Sequence, residues 1–149
     1  MKVKAVDHFA VTVSDTERAL EFYVGKLGLK QVEQHQLEGD GCDEVCGHKG
    51  TRAQSTRLIA EGTPDILIDL LELFEPQLEP LLPPFDAVGS CHFALTVDDL
   101  PGAVKELESK GVEFTSAPVA FEITSGTVTV CFCKDPDGNY VELMEEYVH

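Results

Sequence analysis

The sequence contains one eight-residue segment twice, as "HFAVTVSD" at residues 8–15 and as "HFALTVDD" at residues 92–99. The two copies begin 84 positions apart and differ at two positions. Their apolar and polar residues alternate, which is typical of a strand with one buried face. We therefore predict a chain of two related halves, in which the repeated strand also serves a functional site twice.

Each copy begins a similar module. A helical pattern follows the strand, and Gly28 or Gly111 is placed to end that helix in the left-handed conformation. In the first half, Ser14 and Glu17 match a capping box at the helix start. Three strand-like segments come after each helix. The order β-α-β-β-β, found twice, predicts an α+β fold.

The module boundaries follow from the repeat and from the prolines. We predict a first module at residues 1–75, a connector at 76–90 and a second module at 91–149. The connector "EPQLEPLLPPFDAVGS" begins at residue 75 and holds four of the eight prolines in the chain.

The composition restricts the class of partner. Asp and Glu number 27 against 11 Lys and Arg, which gives a formal net charge of −16. Such a surface repels nucleic acid and anionic lipid. The sequence shows neither a signal peptide nor an apolar run long enough to span a bilayer, so we expect a cytoplasmic protein that binds a small molecule.

Four side chains are predicted to converge on one face of the strands. Strand alternation turns His8 and His92 away from the helices. The closing strands "DLLELFEP" (69–76) and "NYVELMEE" (139–146) align through a shared Glu-Leu, which turns Glu72 and Glu142 to the same face.

Two neighbouring carboxylates in apolar surroundings are costly unless a cation lies between them. With two imidazoles they suit one divalent ion: zinc, nickel, iron(II), manganese or cobalt. The alternative is a hydrogen-bonded network of the same four residues without a metal.

Four segments carry a family resemblance: "DHFAVTVSDTERALEFYVGKLG", "DLLELFEP", "GSCHFALTVDDLPGAVKEL" and "DPDGNYVELME". They resemble the vicinal oxygen chelate superfamily, which includes lactoylglutathione lyase (glyoxalase), methylmalonyl-CoA epimerase, extradiol dioxygenases, and fosfomycin and bleomycin resistance proteins. The resemblance implies two tandem βαβββ modules that form an open, cupped mixed sheet with the helices outside. It also implies one metal ion, with His8, Glu72, His92 and Glu142 as ligands.

The same resemblance implies a class of reaction. The metal site of extradiol dioxygenases resembles this one but has only two histidines and one glutamate. The additional Glu72 therefore favours the lyase and isomerase branch. There the metal acts as a Lewis acid that stabilises an enediolate or enolate, with Glu142 as the base and Glu72 sharing in proton transfer. We expect a metal-dependent, glyoxalase-like enzyme for a small carbonyl or hydroxy compound. An extradiol-type dioxygenase and a non-catalytic, resistance-type binding protein are the alternatives.

Substrate recognition departs from the glyoxalase pattern. Glyoxalase-like enzymes carry an arginine shortly after the first histidine, and "HFAVTVSD" has none, which puts glutathione recognition in doubt. Arg57 is expected to face the site because Leu58 should face the helix, and it aligns with Cys131. It could hold a carboxylate or enolate oxygen, or form a surface salt bridge. The resemblance allows a site within one chain or across a dimer, and we expect a homodimer.

Overall fold

The computed structural model describes residues 2–77 and 79–148. Its contacts divide the chain into two compact units, Met1–Pro80 and Leu81–His149. Most of the predicted connector therefore belongs to the second unit. Within the described ranges, no helix is both long and apolar enough to cross a bilayer.

The first unit forms a mixed sheet in the order β1-β4-β3-β2. Strand β1 is parallel to β4, whereas β3 is antiparallel to both β4 and β2. Helix α1 continues directly into a π-helical segment, Glu21–Lys26. The elements are β1 His8–Val13, α1 Thr16–Leu20, β2 Lys30–Glu38, α2 Asp40–Cys46, β3 Arg52–Ala60 and β4 Thr63–Glu75.

The second unit repeats this arrangement, with the strand order β5-β8-β7-β6 and the same parallel and antiparallel pairs. Its elements are β5 His92–Thr96, α3 Leu100–Ser109, β6 Val119–Ile123, β7 Gly126–Lys134 and β8 Tyr140–Val148. The predicted α+β class and the two βαβββ modules are confirmed. Helix α2, in the acidic, glycine-rich stretch after β2, has no counterpart among the described residues of the second unit.

The last residue of each repeated segment is the N-cap of the helix that follows. Asp15 accepts a hydrogen bond from Arg18 N, and Asp99 accepts one from Gly102 N, both at 3.0 Å. The prediction that Ser14 caps α1 is wrong by one residue, because the helix begins at Thr16 and Asp15 is its N-cap. The helical segments end as predicted, at glycines with positive φ: Gly28 (79°) and Gly111 (77°).

Each sheet has a helix face, which packs against its helix, and a far face on the other side. The helix face of the first sheet holds buried apolar side chains from three strands: Val11, Val13, Leu58, Ile68 and Leu70. The helix face of the second holds Val141 and Leu143 of β8 with Cys131 and Cys133 of β7, all at most 2% exposed. Burying these side chains is what fixes each strand register, because a one-residue slip would turn them to the far face.

A glutamate on each closing strand holds the start of a helix. Glu72 Oε2 accepts hydrogen bonds from Thr16 N (2.9 Å) and Thr16 Oγ1 (2.6 Å). Glu145 Oε2 accepts one from Leu100 N (2.7 Å). Thr16 and Leu100 are the first residues of α1 and α3, where backbone N–H groups have no partner inside the helix and a negative charge is favourable.

These contacts correct the predicted orientation of Glu72. Its ladder partner is Val13, a buried residue of the helix face, so Glu72 lies on the helix face and turns away from His8. The prediction that it faces the same way as the two histidines is wrong. The alignment through Glu-Leu is displaced by three residues, and an odd displacement along a strand reverses the face on which a side chain lies.

We expect the Glu145→Ala variant to lower the free energy of unfolding by about 1.5–3 kcal/mol, because a charge-assisted hydrogen bond to a buried backbone N–H is lost. Glu146→Ala is the matched control: Glu146 is the next residue on β8 and is exposed, so its removal should change stability by less than about 0.5 kcal/mol. Urea unfolding followed by circular dichroism measures both. Equal stability losses in the two variants would contradict the assigned role of Glu145.

Candidate active site

The strand registers identify equivalent positions on the two far faces. Ala10 of β1 pairs with Asp69 of β4, and Ala94 of β5 pairs with Glu142 of β8. Ala10 and Ala94 follow the two histidines by two residues, so Asp69 is the counterpart of Glu142. Each far face thus carries a histidine and a carboxylate at the same relative positions.

In the second unit the two side chains meet. His92 Nε2 lies 3.2 Å from Glu142 Oε2, and the side chains are 41% and 15% exposed. The His92 ring stacks on Phe85, with centroids 5.7 Å apart, and meets Phe132 edge-on at 5.1 Å. The structure therefore brings together two of the four predicted side chains, His92 and Glu142, and the imidazole lies against two aromatic rings.

In the first unit the histidine and the carboxylate have separate partners. His8 Nδ1 lies 2.8 Å from Asp7 Oδ2, and this hydrogen bond lowers the pKa of Asp7. Because an ionised carboxylate only accepts, His8 Nδ1 is the donor of this hydrogen bond. Asp69 is 8% exposed, and its Oδ1 accepts a hydrogen bond from Ser55 Oγ at 2.6 Å.

The sequence prediction missed Asp69, although the sequence contains a signal for it. The stretch "DLLE" (69–72) and the stretch "ELME" (142–145) share an acid, a leucine and a glutamate three positions after the acid. When the two stretches are aligned in this way, their first acids, Asp69 and Glu142, both lie on the far face. Their second acids, Glu72 and Glu145, both accept a hydrogen bond from the first residue of a helix.

Arg57 lies on the far face, as predicted, because its ladder partner is Asp69. Its neighbour Leu58 is fully buried on the helix face. Arg57 Nη1 donates to Glu33 Oε2 at 3.2 Å. Its counterpart is Phe132, the ladder partner of Glu142, so the predicted alignment with Cys131 is wrong by one residue. Cys131 lies on the helix face, where burial raises its pKa to about 11.

The distance between the two donor atoms of the second unit can be compared with the distance expected between two ligands of one metal ion. Two donors bound to one ion at about 2.1 Å, with an angle of 90–110° between the bonds, lie roughly 3.0–3.5 Å apart. The 3.2 Å between His92 Nε2 and Glu142 Oε2 fits that range, although it also fits a hydrogen bond. In residues 2–77 and 79–148, no group of three or more His, Cys, Asp or Glu side chains is arranged to hold an ion.

Known proteins resemble this chain in sequence and in fold. Residues 5–143 match the Glyoxalase/Bleomycin resistance protein/Dioxygenase superfamily. The uncharacterized protein YwkD of Bacillus subtilis (strain 168) is 30% identical over 146 residues, which are 98% of this chain and 100% of YwkD. The lactoylglutathione lyase of Escherichia coli O157:H7 is 26% identical over 139 residues, which are 93% of this chain and 90% of that protein.

Solved structures agree. A glyoxalase-family protein from Bacillus cereus has the same fold, with a TM-score of 0.84 at 21% identity over 98% of this chain and 96% of that one. A superfamily member from Sphaerobacter thermophilus DSM 20745 gives a TM-score of 0.65 at 26% identity over 97% of this chain and 98% of its own. The chain therefore belongs to the Glyoxalase/Bleomycin resistance protein/Dioxygenase superfamily.

Proposed function

We propose that the protein is a metal-dependent lyase or isomerase of the glyoxalase-like type, acting on a small carbonyl or hydroxy compound. The observation that carries this proposal is the 3.2 Å pair of His92 and Glu142 on the far face of the second sheet. The repeated placement of a histidine and a carboxylate in the first unit supports it. So does the similarity to a protein named lactoylglutathione lyase.

In this proposal each unit supplies one histidine and one carboxylate to a divalent ion: His8 and Asp69, and His92 and Glu142. Asp69 replaces Glu72 in the predicted set of metal ligands, because the Glu72 carboxylate is hydrogen-bonded to Thr16. The ion would act as a Lewis acid toward the substrate oxygens. Two half-sites of one chain and half-sites from two chains of a homodimer would both satisfy this arrangement.

The protein side chains have separate tasks in this proposal. Glu142 removes the proton from the carbon beside the carbonyl, since its carboxylate is mostly shielded from water and lies next to His92, whose ring packs against Phe85 and Phe132. Asp7 holds the His8 ring in the tautomer whose Nε2 can bind a metal, and Ser55 orients Asp69. Removing either contact would loosen a ligand without changing the donor set.

Arg57 is the proposed contact for an anionic oxygen of the substrate. Its Nε is buried and has no hydrogen-bond partner in the part of the chain that the structure describes. A buried donor of this kind is costly, and a substrate carboxylate or enolate oxygen would satisfy it. The ion pair with Glu33 holds the guanidinium of Arg57, whose ladder partner on β4 is Asp69.

Metal analysis of the purified protein, followed by activity assays with each candidate ion, tests the proposal. Hemithioacetals, acyl-CoAs and catechols are the substrates to compare. We expect turnover of a carbonyl or hydroxy compound that requires a divalent ion and consumes no oxygen. Oxygen uptake with catechols under iron(II) would instead assign a dioxygenase, and ligand binding without any dependence on metal would assign a binding protein.

A further inference from the structure

Three aromatic side chains form a cluster with His92 in the second unit. Phe85 stacks on the His92 ring at an interplanar angle of 23°. The Phe85 ring also meets the rings of Phe132 and Tyr140 edge-on, with centroid distances of 4.8 and 5.3 Å. We call Phe85, Phe132 and Tyr140 the aromatic wall.

The aromatic wall is particular to the second unit and lies at the reacting pair. Phe132 is the ladder partner of Glu142, and Tyr140 is the ladder partner of His92. The first unit has Arg57 at the position of Phe132. Phe85 comes from outside the repeated module, in the proline-rich stretch before β5, so the second unit gains this ring in addition to its repeat.

The wall leaves apolar surface open to water. Phe85 is 48% exposed, although it adjoins two other rings that could have enclosed it. An exposed ring next to a polar pair gains free energy when an apolar group covers it. Aromatic groups prefer stacked or edge-on contacts with one another, so a flat partner makes better contacts here than a puckered one of similar size.

The charges on the wall favour a neutral group. Lys134 Nζ lies 4.8 Å from the Tyr140 ring centroid, so this cation is already placed over a wall ring. The carboxylate of Glu142, the ladder partner of Phe132, disfavours an anion. A conjugated or aromatic group can lie against the rings without taking a charge out of water.

We propose that the substrate carries a flat, unsaturated group beside its reacting carbonyl or hydroxyl, and that this group packs against Phe85, Phe132 and Tyr140. The inference rests on the proposed function, because the His92–Glu142 pair marks the reacting end. It makes Phe85 a residue that determines specificity. A small aliphatic carbonyl compound would leave the wall uncovered and would bind more weakly.

Three hydroxamates test the proposal, since they share one chelating group and differ in the group attached to it: benzohydroxamate, cyclohexanecarbohydroxamate and acetohydroxamate. Calorimetric titration of the metal-loaded protein gives their affinities. We expect the flat ring of benzohydroxamate to bind about tenfold tighter than the puckered ring of the same size. Equal affinity of these two ligands would overturn the proposal.

Phe85→Leu is the critical variant, because leucine keeps an apolar side chain and removes the flat ring. We expect the tenfold preference to fall to about twofold or less, with the affinity for acetohydroxamate unchanged. Phe121→Leu is the matched control, because Phe121 is a similarly exposed phenylalanine of β6 in the same unit. A preference that survives Phe85→Leu, or one that Phe121→Leu reduces equally, contradicts the role of Phe85.

A second ligand pair separates this inference from the proposed function. Benzamide and cyclohexanecarboxamide have the same two rings without the hydroxamate chelate. Their binding to the metal-free protein can be followed through the NMR signals of Tyr140 and His92. If hydroxamate binding does not depend on metal, the proposed function fails; a preference for benzamide still supports the aromatic wall, and its absence overturns it.

Discussion

Asp69→Asn is expected to weaken the binding of a divalent ion by about 100-fold or more, while the fold is retained. Asparagine has the size of aspartate and can still accept the hydrogen bond from Ser55 Oγ. It lacks the negative charge that a divalent ion requires from its ligands. Changes at residues that only orient metal ligands already cost about 10–100-fold in affinity, so the loss of a ligand itself should cost at least as much.

Glu72→Gln is the matched control for this prediction, because the two acids are three residues apart on β4. Its carboxylate is bonded to Thr16 at the start of α1. We expect metal affinity to stay within about threefold of the original protein, and stability to fall by about 1 kcal/mol as a charge-assisted hydrogen bond becomes a neutral one. Isothermal titration and thermal unfolding measure the two effects. If Glu72→Gln weakened metal binding and Asp69→Asn did not, Glu72 and not Asp69 would be the ligand.

Glu142→Gln is expected to lower turnover by about 10²–10⁴-fold, the range typical for the loss of a general base. Glutamine keeps the shape of the side chain and its position beside His92 and Phe132. Because Glu142 is also a proposed ligand, turnover must be measured at saturating metal, with the bound ion determined in the same sample. The substrate is the compound that the metal-dependence screen identifies.

Glu146→Gln is the control for this variant, since it makes the same chemical change at an exposed position of β8. Its turnover should equal that of the original protein. A Glu142→Gln protein that holds its metal and keeps full turnover would remove Glu142 from the role of base. A loss of turnover only at low metal concentration would limit Glu142 to binding the ion.

The module order and the helix ends could be predicted from the sequence because both depend on local features. The alternation of β1 and β5 places Val11 and Val13 in the core, and glycines with positive φ end the helices. The repeated segment also marks where each helix starts, since its final aspartate is the N-cap. Such features involve a few neighbouring residues and need no knowledge of strand pairing.

The far-face position of Asp69 could not be predicted in the same way, because β4 is apolar on both faces around it. The stretch "ILIDLLELF" has leucine or isoleucine at odd and even positions alike, so alternation does not identify the buried face. The identical Glu-Leu pair then gave a plausible but displaced alignment. Only the pairing with β1, and the contact between Glu72 and Thr16, determines the register.

The aromatic wall was beyond prediction for a different reason. Phe85 lies in a proline-rich stretch without strand or helix periodicity, and such a stretch gives no indication of the surface on which its side chains pack. Because Arg57 was aligned with Cys131, the equivalence of Arg57 and Phe132 was missed. Long-range contacts of irregular segments require coordinates.

A crystal structure grown with Ni²⁺ or Zn²⁺, with anomalous data collected at the absorption edge, would identify the ligands of the bound ion. We expect an anomalous peak within about 2.3 Å of donor atoms from His8, Asp69, His92 and Glu142, with Glu72 still hydrogen-bonded to Thr16. A peak coordinated by Glu72, or an ion that binds elsewhere while His92 stays paired with Glu142, His8 with Asp7 and Asp69 with Ser55, would contradict this expectation.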